Sequence, residues 1–256
     1  MFIELTNNKF LSYLLMRFAR SRWSKIIIPL YDKAYRLDWK DVKKGKTDFQ
    51  SLHELFTREL KGGVRPICSH ENSVVSPVDA VLENYGTITE DKNILVKGKT
   101  YSIEEMLGNE KVLPKYMNGH FLILYLSPSH YHRIHAPINC EVQSRWTLGS
   151  KSYPVNKLGL KYGKDTLSKN YRVISELKHK GGYMALVKVG AMFVNSIELT
   201  NLQEQLKKGE EMAYFSFGST VVLLFEKDTF CLADEVQLGS EVKHGEKLGY
   251  IRDIAD

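Results

Sequence analysis

Apolar and polar positions change rhythm along this chain. Near the N-terminus Phe10, Leu14 and Phe18 recur at i, i+4 and i+8, with Leu11 and Leu15 beside them. That spacing predicts an amphipathic helix. Lys9, Arg17, Arg20, Arg22 and Lys25 frame the stripe, and Trp23, Ile26, Ile27, Ile28, Leu30 and Tyr31 follow it. Cations beside aromatic and aliphatic bulk suit a helix lying in a lipid interface. The same stripe suits a helix docked on its own domain. A second helix is predicted over 49–60, "FQSLHELFTREL", with Leu52, Leu55, Phe56 and Leu60 on one side and Gly62-Gly63 as its stop.

From about residue 64 the period shortens toward two. "SVVSPVDAVLENYG", "FLILYLS", "CEVQSRWTL", "YRVISEL", "YMALVKVGAMFVNSIEL" and "TVVLLF" alternate or run apolar between turn signals, and predict strands. The unbroken run Val221–Phe225 predicts a strand buried on both faces. A short helix is expected at 102–108, "SIEEMLG". The tail "LGSEVKHGEKLGYI" (238–251) reads as the final hairpin of a barrel-sandwich hybrid. The expected fold is therefore α+β: a β-rich body of barrel-sandwich-hybrid-like character over 61–256, preceded by a helical region over 1–60.

Composition narrows the class. The 256 residues are 43% hydrophobic and 26% charged, which supports a folded core and argues against disorder. A formal charge of +6 and a pI near 9.0 admit an anionic membrane, a nucleic acid or an acidic small molecule. Cys68, Cys140 and Cys231 are far apart and form no Cys-x-x-Cys pair, so neither a disulfide framework nor a thiolate zinc site is indicated. Buried structural roles in a reducing compartment are expected of them. No apolar run approaches the ~18–20 residues of a transmembrane helix. The N-terminus is not organised as a signal peptide, because its arginines follow the apolar stretch.

Candidate chemistry lies in "YLSPSHYHRIHAP" (125–137), which holds His130, His132 and His135. On a strand His130 and His132 share a face, as ligand pairs do. His135 has the opposite parity and no second ligand cluster accompanies them, so no metal is expected. Imidazoles also move protons near neutral pH. That work needs a nucleophile and an orienting carboxylate. Asp79, in "SPVDA", is a candidate carboxylate, and Ser219, in "FGSTV", is a candidate nucleophile. By themselves Gly218-Ser219-Thr220 are ordinary turn residues, and the Gly-x-Ser-x-Gly elbow of hydrolases is absent.

Together these segments resemble a known family. "LHELFTRELKGGVRPI" (52–67), "SPVDA", "YLSPSHYHRIHAP", "VGAMFVNSIE" (189–198) and "FGSTVVLLFE" occur in the order and approximate spacing of phosphatidylserine decarboxylase proenzymes, across nearly the whole chain. The length resembles the bacterial membrane-associated form. Phe217 stands where the family commonly has Leu, and Ala80 where it commonly has Gly. Glycine there would allow a positive φ that alanine resists.

The resemblance implies a chain that makes its own cofactor. His135, oriented by Asp79, would take the Ser219 Oγ proton, and Oγ would attack the Gly218 carbonyl. The amide becomes an ester, and elimination parts chains 1–218 and 219–256. The dehydroalanine left at 219 hydrolyses to a pyruvoyl group and ammonia. Thr220 is a candidate donor to the oxyanion. The pyruvoyl group would then form a Schiff base with the serine amine of phosphatidylserine, and His132 would reprotonate the headgroup after carbon dioxide leaves, giving phosphatidylethanolamine. The implied partners are phosphatidylserine and an anionic membrane surface, with the cleaved chains held together, no nucleic acid, and a homodimer left open. The implied place is the cytoplasmic face of the cell membrane, reached through the N-terminal helices. Two other readings are a decarboxylase of another serine-headgroup lipid and a noncatalytic hybrid-fold binding module.

Overall fold

The computed structural model describes residues 9–155, 165–191, 197–216 and 218–252. Phe217, residues 192–196 of the "VGAMFVNSIE" motif and the side chains of Phe10 and Leu11 lie outside that description. The chain opens with α1 (Lys9–Arg20), a 3-10 turn (Arg22–Ile27) and α2 (Ile28–Tyr35). The next helix is shorter than its apolar spacing suggests. Ser51 caps α3 (Leu52–Phe56) by accepting from the Glu54 amide at 3.1 Å, and Thr57 closes it. Leu60 has by then turned to pair with Val42. Near the middle of the chain α4 (Ile103–Leu107) forms as expected, between the Ser102 cap and Gly108 in the left-handed region at φ 53°. A last short helix is α5 (Thr166–Lys169).

The strands, in chain order, are β1 (Ser73–Val75), β2 (Ala80–Thr87), β3 (Asn93–Val96), β4 (Lys99–Ser102), β5 (His120–Leu126), β6 (Arg133–His135), β7 (Cys140–Leu148) and β8 (Arg172–His179). They continue with β9 (Gly182–Gly190), β10 (Ile197–Leu199), β11 (Gln205–Leu206), β12 (Glu211–Phe215), β13 (Ser219–Phe225), β14 (Phe230–Leu232), β15 (Glu241–Val242) and β16 (Lys247–Ile251). Eight of them form one antiparallel sheet in the order β11-β7-β8-β9-β13-β5-β2-β15. Two small sheets, β1-β16-β14 and β10-β12-β6, lie beside it. The fold is thus α+β and rich in sheet. The large sheet keeps two edges among the described residues, so it does not close into a barrel.

The tail departs from the hairpin expected over 238–251. β15 pairs with β2, whereas β16 pairs with β1 and β14. Ser76 causes the change of sheet, because its carbonyl accepts from the Gly245 amide at 3.0 Å and its amide donates to the Glu246 carbonyl at 2.7 Å. The turn between β15 and β16 is thereby spent on the β1–β2 corner, and Gly245 takes the required φ of +87°.

β13 occupies the centre of the large sheet, between β5 and β9. All seven of its residues are buried, as its apolar run predicts. Its side chains alternate between two cores. Val221, Leu223 and Phe225 join Leu126, Ile134 and Phe215, while Val222 and Leu224 join Ile123, Val187 and Val189. Full burial of each such side chain contributes ~1.5–3 kcal/mol. Ala80, at the start of β2, has no positive φ, so alanine fits where a glycine was the alternative. The three cysteines are unpaired: Cys140 is buried, Cys68 half-buried and Cys231 exposed, so a buried role holds for Cys140 alone.

The N-terminal helices pack with their small residues inward. Ser12, Ala19, Ser24 and Ile28 are buried, while Tyr13, Leu14, Phe18, Trp23, Ile26 and Leu30 face outward. Trp23 and Ile26 are 77% and 76% exposed. Of the described stripe residues, Leu14, Leu15 and Phe18 are thus left outside the chain's own core.

Candidate functional site

Ser219 opens β13, opposite Gly190 on one side and Leu126 on the other. Its Oγ is fully buried and has no hydrogen-bond partner. A buried polar atom without a partner costs about 1–3 kcal/mol, so it calls for an explanation. The carbonyl just before it, that of Gly218, is held by the Ala191 amide at 2.9 Å. Thr220 is also buried with an unpartnered hydroxyl. Strand alternation directs it to the opposite face from Ser219, which weakens it as a candidate donor at this carbonyl.

His132 is fully buried, and neither ring nitrogen has a partner. Its ring lies 3.8 Å from that of Phe56. Burial, with the Arg58 cation adding to it, holds its pKa well below the ordinary value of 6.5. The segment around it is clamped from the N-terminal helices. Tyr31 donates to the Pro128 carbonyl at 2.6 Å, and Arg58 donates to the carbonyls of Ser129 and His130 at 2.5 and 2.9 Å. The His132 carbonyl accepts from the Phe215 amide at 2.9 Å, tying it to the end of β12 just ahead of Gly218 and Ser219.

Asp79 and His135 sit in a second cluster. The Asp79 carboxylate accepts from Arg65 Nη2 at 2.7 Å and from the His244 amide at 2.8 Å. His135 Nδ1 lies 3.0 Å from the Gly209 carbonyl, which assigns its proton to that nitrogen. Its Nε2 is then free to accept from the Tyr131 hydroxyl at 3.2 Å. The His244 ring stacks on His135 with 3.6 Å between centroids and 17° between planes. Burial pushes His135 down to about 4, against a small upward pull from the Gly209 carbonyl. Burial and the neighbouring His135 push His244 down to about 3. Among the described residues no hydrogen bond joins Asp79 to His135. His135 opens instead onto a cavity of about 310 Å³ lined also by Arg65, Tyr131, Arg133, Glu211 and His244, which Ser219 does not line.

His130 has a third setting, accepting from the Ser127 amide at Nδ1. The three histidines therefore do not converge, because residues 127–132 form a loop rather than a continuous strand. No group of three His, Cys, Asp or Glu among the described residues is placed to hold a metal ion.

Comparisons with known proteins cover most of the chain. Residues 52–250 match the family model described as phosphatidylserine decarboxylase. The chain is 58% identical over 251 residues to the phosphatidylserine decarboxylase proenzyme of Anoxybacillus flavithermus, covering 98% of this chain and 95% of that one. It is 56% identical to that of a Geobacillus species over 250 residues, covering 98% and 96% of the two chains. It is 54% identical to that of a Bacillus thuringiensis strain over 246 residues, covering 96% and 94%. The chain belongs to the phosphatidylserine decarboxylase family.

Within this family member, Arg65, Tyr131 and His244 contribute to the site without having stood out in the sequence. Arg65 does lie inside the quoted stretch 52–67, and Tyr131 inside the histidine segment. His244 carries no local signal beyond its place in a turn.

Proposed function

We propose that this protein is a proenzyme that cuts its own Gly218–Ser219 bond and, once cut, converts phosphatidylserine to phosphatidylethanolamine and carbon dioxide at a membrane surface. The observation that carries the reading is a shielded, unpartnered Ser219 hydroxyl directly after a carbonyl held in place, in a chain of this family. The same features fit a pyruvoyl group made from residue 219. It would sit at the mouth of a fully buried strand, shielded from bulk water. That group supplies an electrophilic carbonyl for the lipid amine and an electron sink for the departing carboxylate.

In maturation Ser219 Oγ bonds to the Gly218 carbonyl carbon and gives up its proton. The C–N bond then breaks, and the serine nitrogen takes a proton. His135 Nε2 is the proposed proton acceptor, kept neutral by burial and with its other nitrogen engaged at Gly209. Asp79 supports it indirectly in this reading, by fixing Arg65 and the backbone of His244, whose ring backs His135. Elimination across Cα and Cβ of residue 219 then frees the Gly218 carboxylate.

In turnover His132 is the proposed donor of a proton to the headgroup carbon that carbon dioxide leaves. Burial disfavours its protonated form, so a proton that reaches the ring is readily given away. The exposed apolar residues of α1, the 3-10 turn and α2, with Arg17, Arg22 and Lys25 among them, are the proposed contact with an anionic bilayer. No helix among the described residues is long and apolar enough to cross a membrane. The cytoplasmic face is the proposed side.

Intact mass and a denaturing gel of the purified protein test the reading. Two chains are expected, 1–218 and 219–256, the smaller with a blocked N-terminus, and Ser219→Ala is expected to leave one chain. Full activity in an uncut wild-type chain overturns the reading.

A further inference from the structure

The carbonyl that Ser219 attacks needs a donor for the negative charge that develops on its oxygen. The Ala191 amide already lies 2.9 Å from Gly218 O. That distance is within the range of an oxyanion-stabilising donor. Gly218 and Ala191 are a close pair, since a Cβ added to Gly218 would stand 3.7 Å from the Ala191 Cβ.

The same peptide unit is gripped from its other end. Asn170 is fully buried, and its Nδ2 donates to the Gly190 carbonyl at 2.9 Å. That carbonyl and the Ala191 N–H belong to one peptide plane. The Asn170 amide also donates to the Tyr153 carbonyl at 2.8 Å, and its Oδ1 accepts from the Tyr153 amide at 3.0 Å. The orientation of its side chain is therefore fixed at both heads. In the preceding peptide the Gly190 amide donates to the Tyr171 carbonyl at 2.9 Å, which anchors the residue from which that plane departs.

We propose that the Ala191 N–H is the oxyanion donor of self-cleavage and that Asn170 is the positioning residue that aims and polarises it through the Gly190–Ala191 peptide. The inference rests on the self-cleavage reading above and adds two groups to it. As Ser219 Oγ bonds to the Gly218 carbonyl carbon, the carbonyl π pair moves onto Gly218 O and the Oγ proton passes to the base. The Ala191 hydrogen bond strengthens as that charge grows. When the C–N bond breaks, the pair returns to form the ester carbonyl and the serine nitrogen is protonated. A bond accepted at the carbonyl end of an amide strengthens donation at its N–H end, so Asn170 reinforces the donor that Ala191 presents. The donor is in place before reaction, so little reorganisation accompanies the charge.

The test is a backbone cycle on the full-length chain, made by cell-free synthesis and followed as cleavage rate. Lactate at position 191 in place of alanine removes the N–H and keeps the side chain. It is expected to slow cleavage about a hundredfold or more. Asn170→Ala is expected to slow cleavage about tenfold, and to add less than about twofold once lactate is at 191, because its effect passes through the missing N–H. Cleavage of the lactate chain within about threefold of the parent overturns the oxyanion role. Full multiplication of the two effects overturns the relay from Asn170. A parent chain that never cuts itself fails the self-cleavage reading instead, which separates the two.

A second measurement requires no cleavage. In Ser219→Ala protein carrying carbon-13 at the Gly218 carbonyl, Asn170→Asp removes the donor to Gly190 O. The resonance is expected to move upfield as the Ala191 hydrogen bond weakens. An unmoved resonance in folded protein overturns the relay.

Discussion

The imidazoles of His135 and His244 lie face to face, 3.6 Å between centroids and 17° apart in plane. Two protonated rings cannot share that contact cheaply, and burial opposes protonating either one. The Tyr131 hydroxyl, the Asp79 carboxylate and the Arg65 guanidinium surround the pair. A base kept neutral in this way acts well below the pH at which an ordinary histidine is lost.

Self-cleavage is accordingly expected to stay level from pH 8 to about 5 and to fall as His135 protonates near 4, not near 6.5. Stability follows the same groups. The unfolded chain takes up protons at these histidines near 6.5, while the folded one resists to about 4 at His135 and His179 and about 3 at His244. The stabilisation is therefore complete above 6.5 and is lost as pH falls through that window. Denaturant midpoints of Ser219→Ala protein across pH 7.5 to 4 check the second claim, and pulse-labelled cleavage checks the first. A cleavage midpoint near 6.5 would remove His135 as the base.

Arg65 is only 12% exposed at its side chain and Asp79 only 9%. Removing the cation leaves a buried carboxylate with, among the described residues, the His244 amide as its remaining hydrogen-bond donor. Arg65→Leu is expected to cost ~3–5 kcal/mol, and the double variant Arg65→Leu/Asp79→Leu less than the sum of the two single changes. Urea unfolding in the Ser219→Ala background measures both. Additive costs would mean that the pair is not a unit.

His132→Ala is expected to separate the two reactions. Cleavage should proceed to both chains, while carbon dioxide release from phosphatidylserine falls by ~10²–10⁴, the usual worth of a positioned proton donor. Gel analysis and trapped carbon dioxide from one preparation decide it. Wild-type turnover in the variant would move the donor elsewhere.

The outward face of the N-terminal helices gives a prediction about membranes. Changing Trp23, Ile26 and Leu30 together to serine is expected to weaken binding to phosphatidylserine-containing vesicles by roughly a thousandfold or more, since each side chain contributes ~1.5–3 kcal/mol when buried in an apolar medium. High salt should weaken the parent further, through Arg17, Arg22 and Lys25. Vesicle sedimentation measures both, and unchanged binding by the triple variant would exclude this face.

Local pattern was enough for several elements. The apolar run of β13 and the Ser102 and Gly108 signals around α4 each describe a segment through its own residues, and each forms as they require. The order of "SPVDA", the histidine segment and "FGST" was enough to place the chain in its family. An apolar stripe on α1 was also legible, but not its direction. A helix can turn either face inward, and here Ser12 and Ala19 fit against the body more closely than the stripe does.

What the sequence by itself determined is the kind of chemistry available: a Gly-Ser bond before a buried strand, with histidines and a carboxylate elsewhere in the chain. Only the tertiary structure decided who stands beside whom. Asp79 meets Arg65 and the backbone of His244, His135 meets the His244 ring, and the Gly218 carbonyl meets Ala191 from β9's end. The tail of the chain divides between two sheets where its turns alone suggested one hairpin. The reason is common to all of these. Propensity and period act over a few neighbours, whereas strand partners and buried polar contacts are chosen by competition across the whole core.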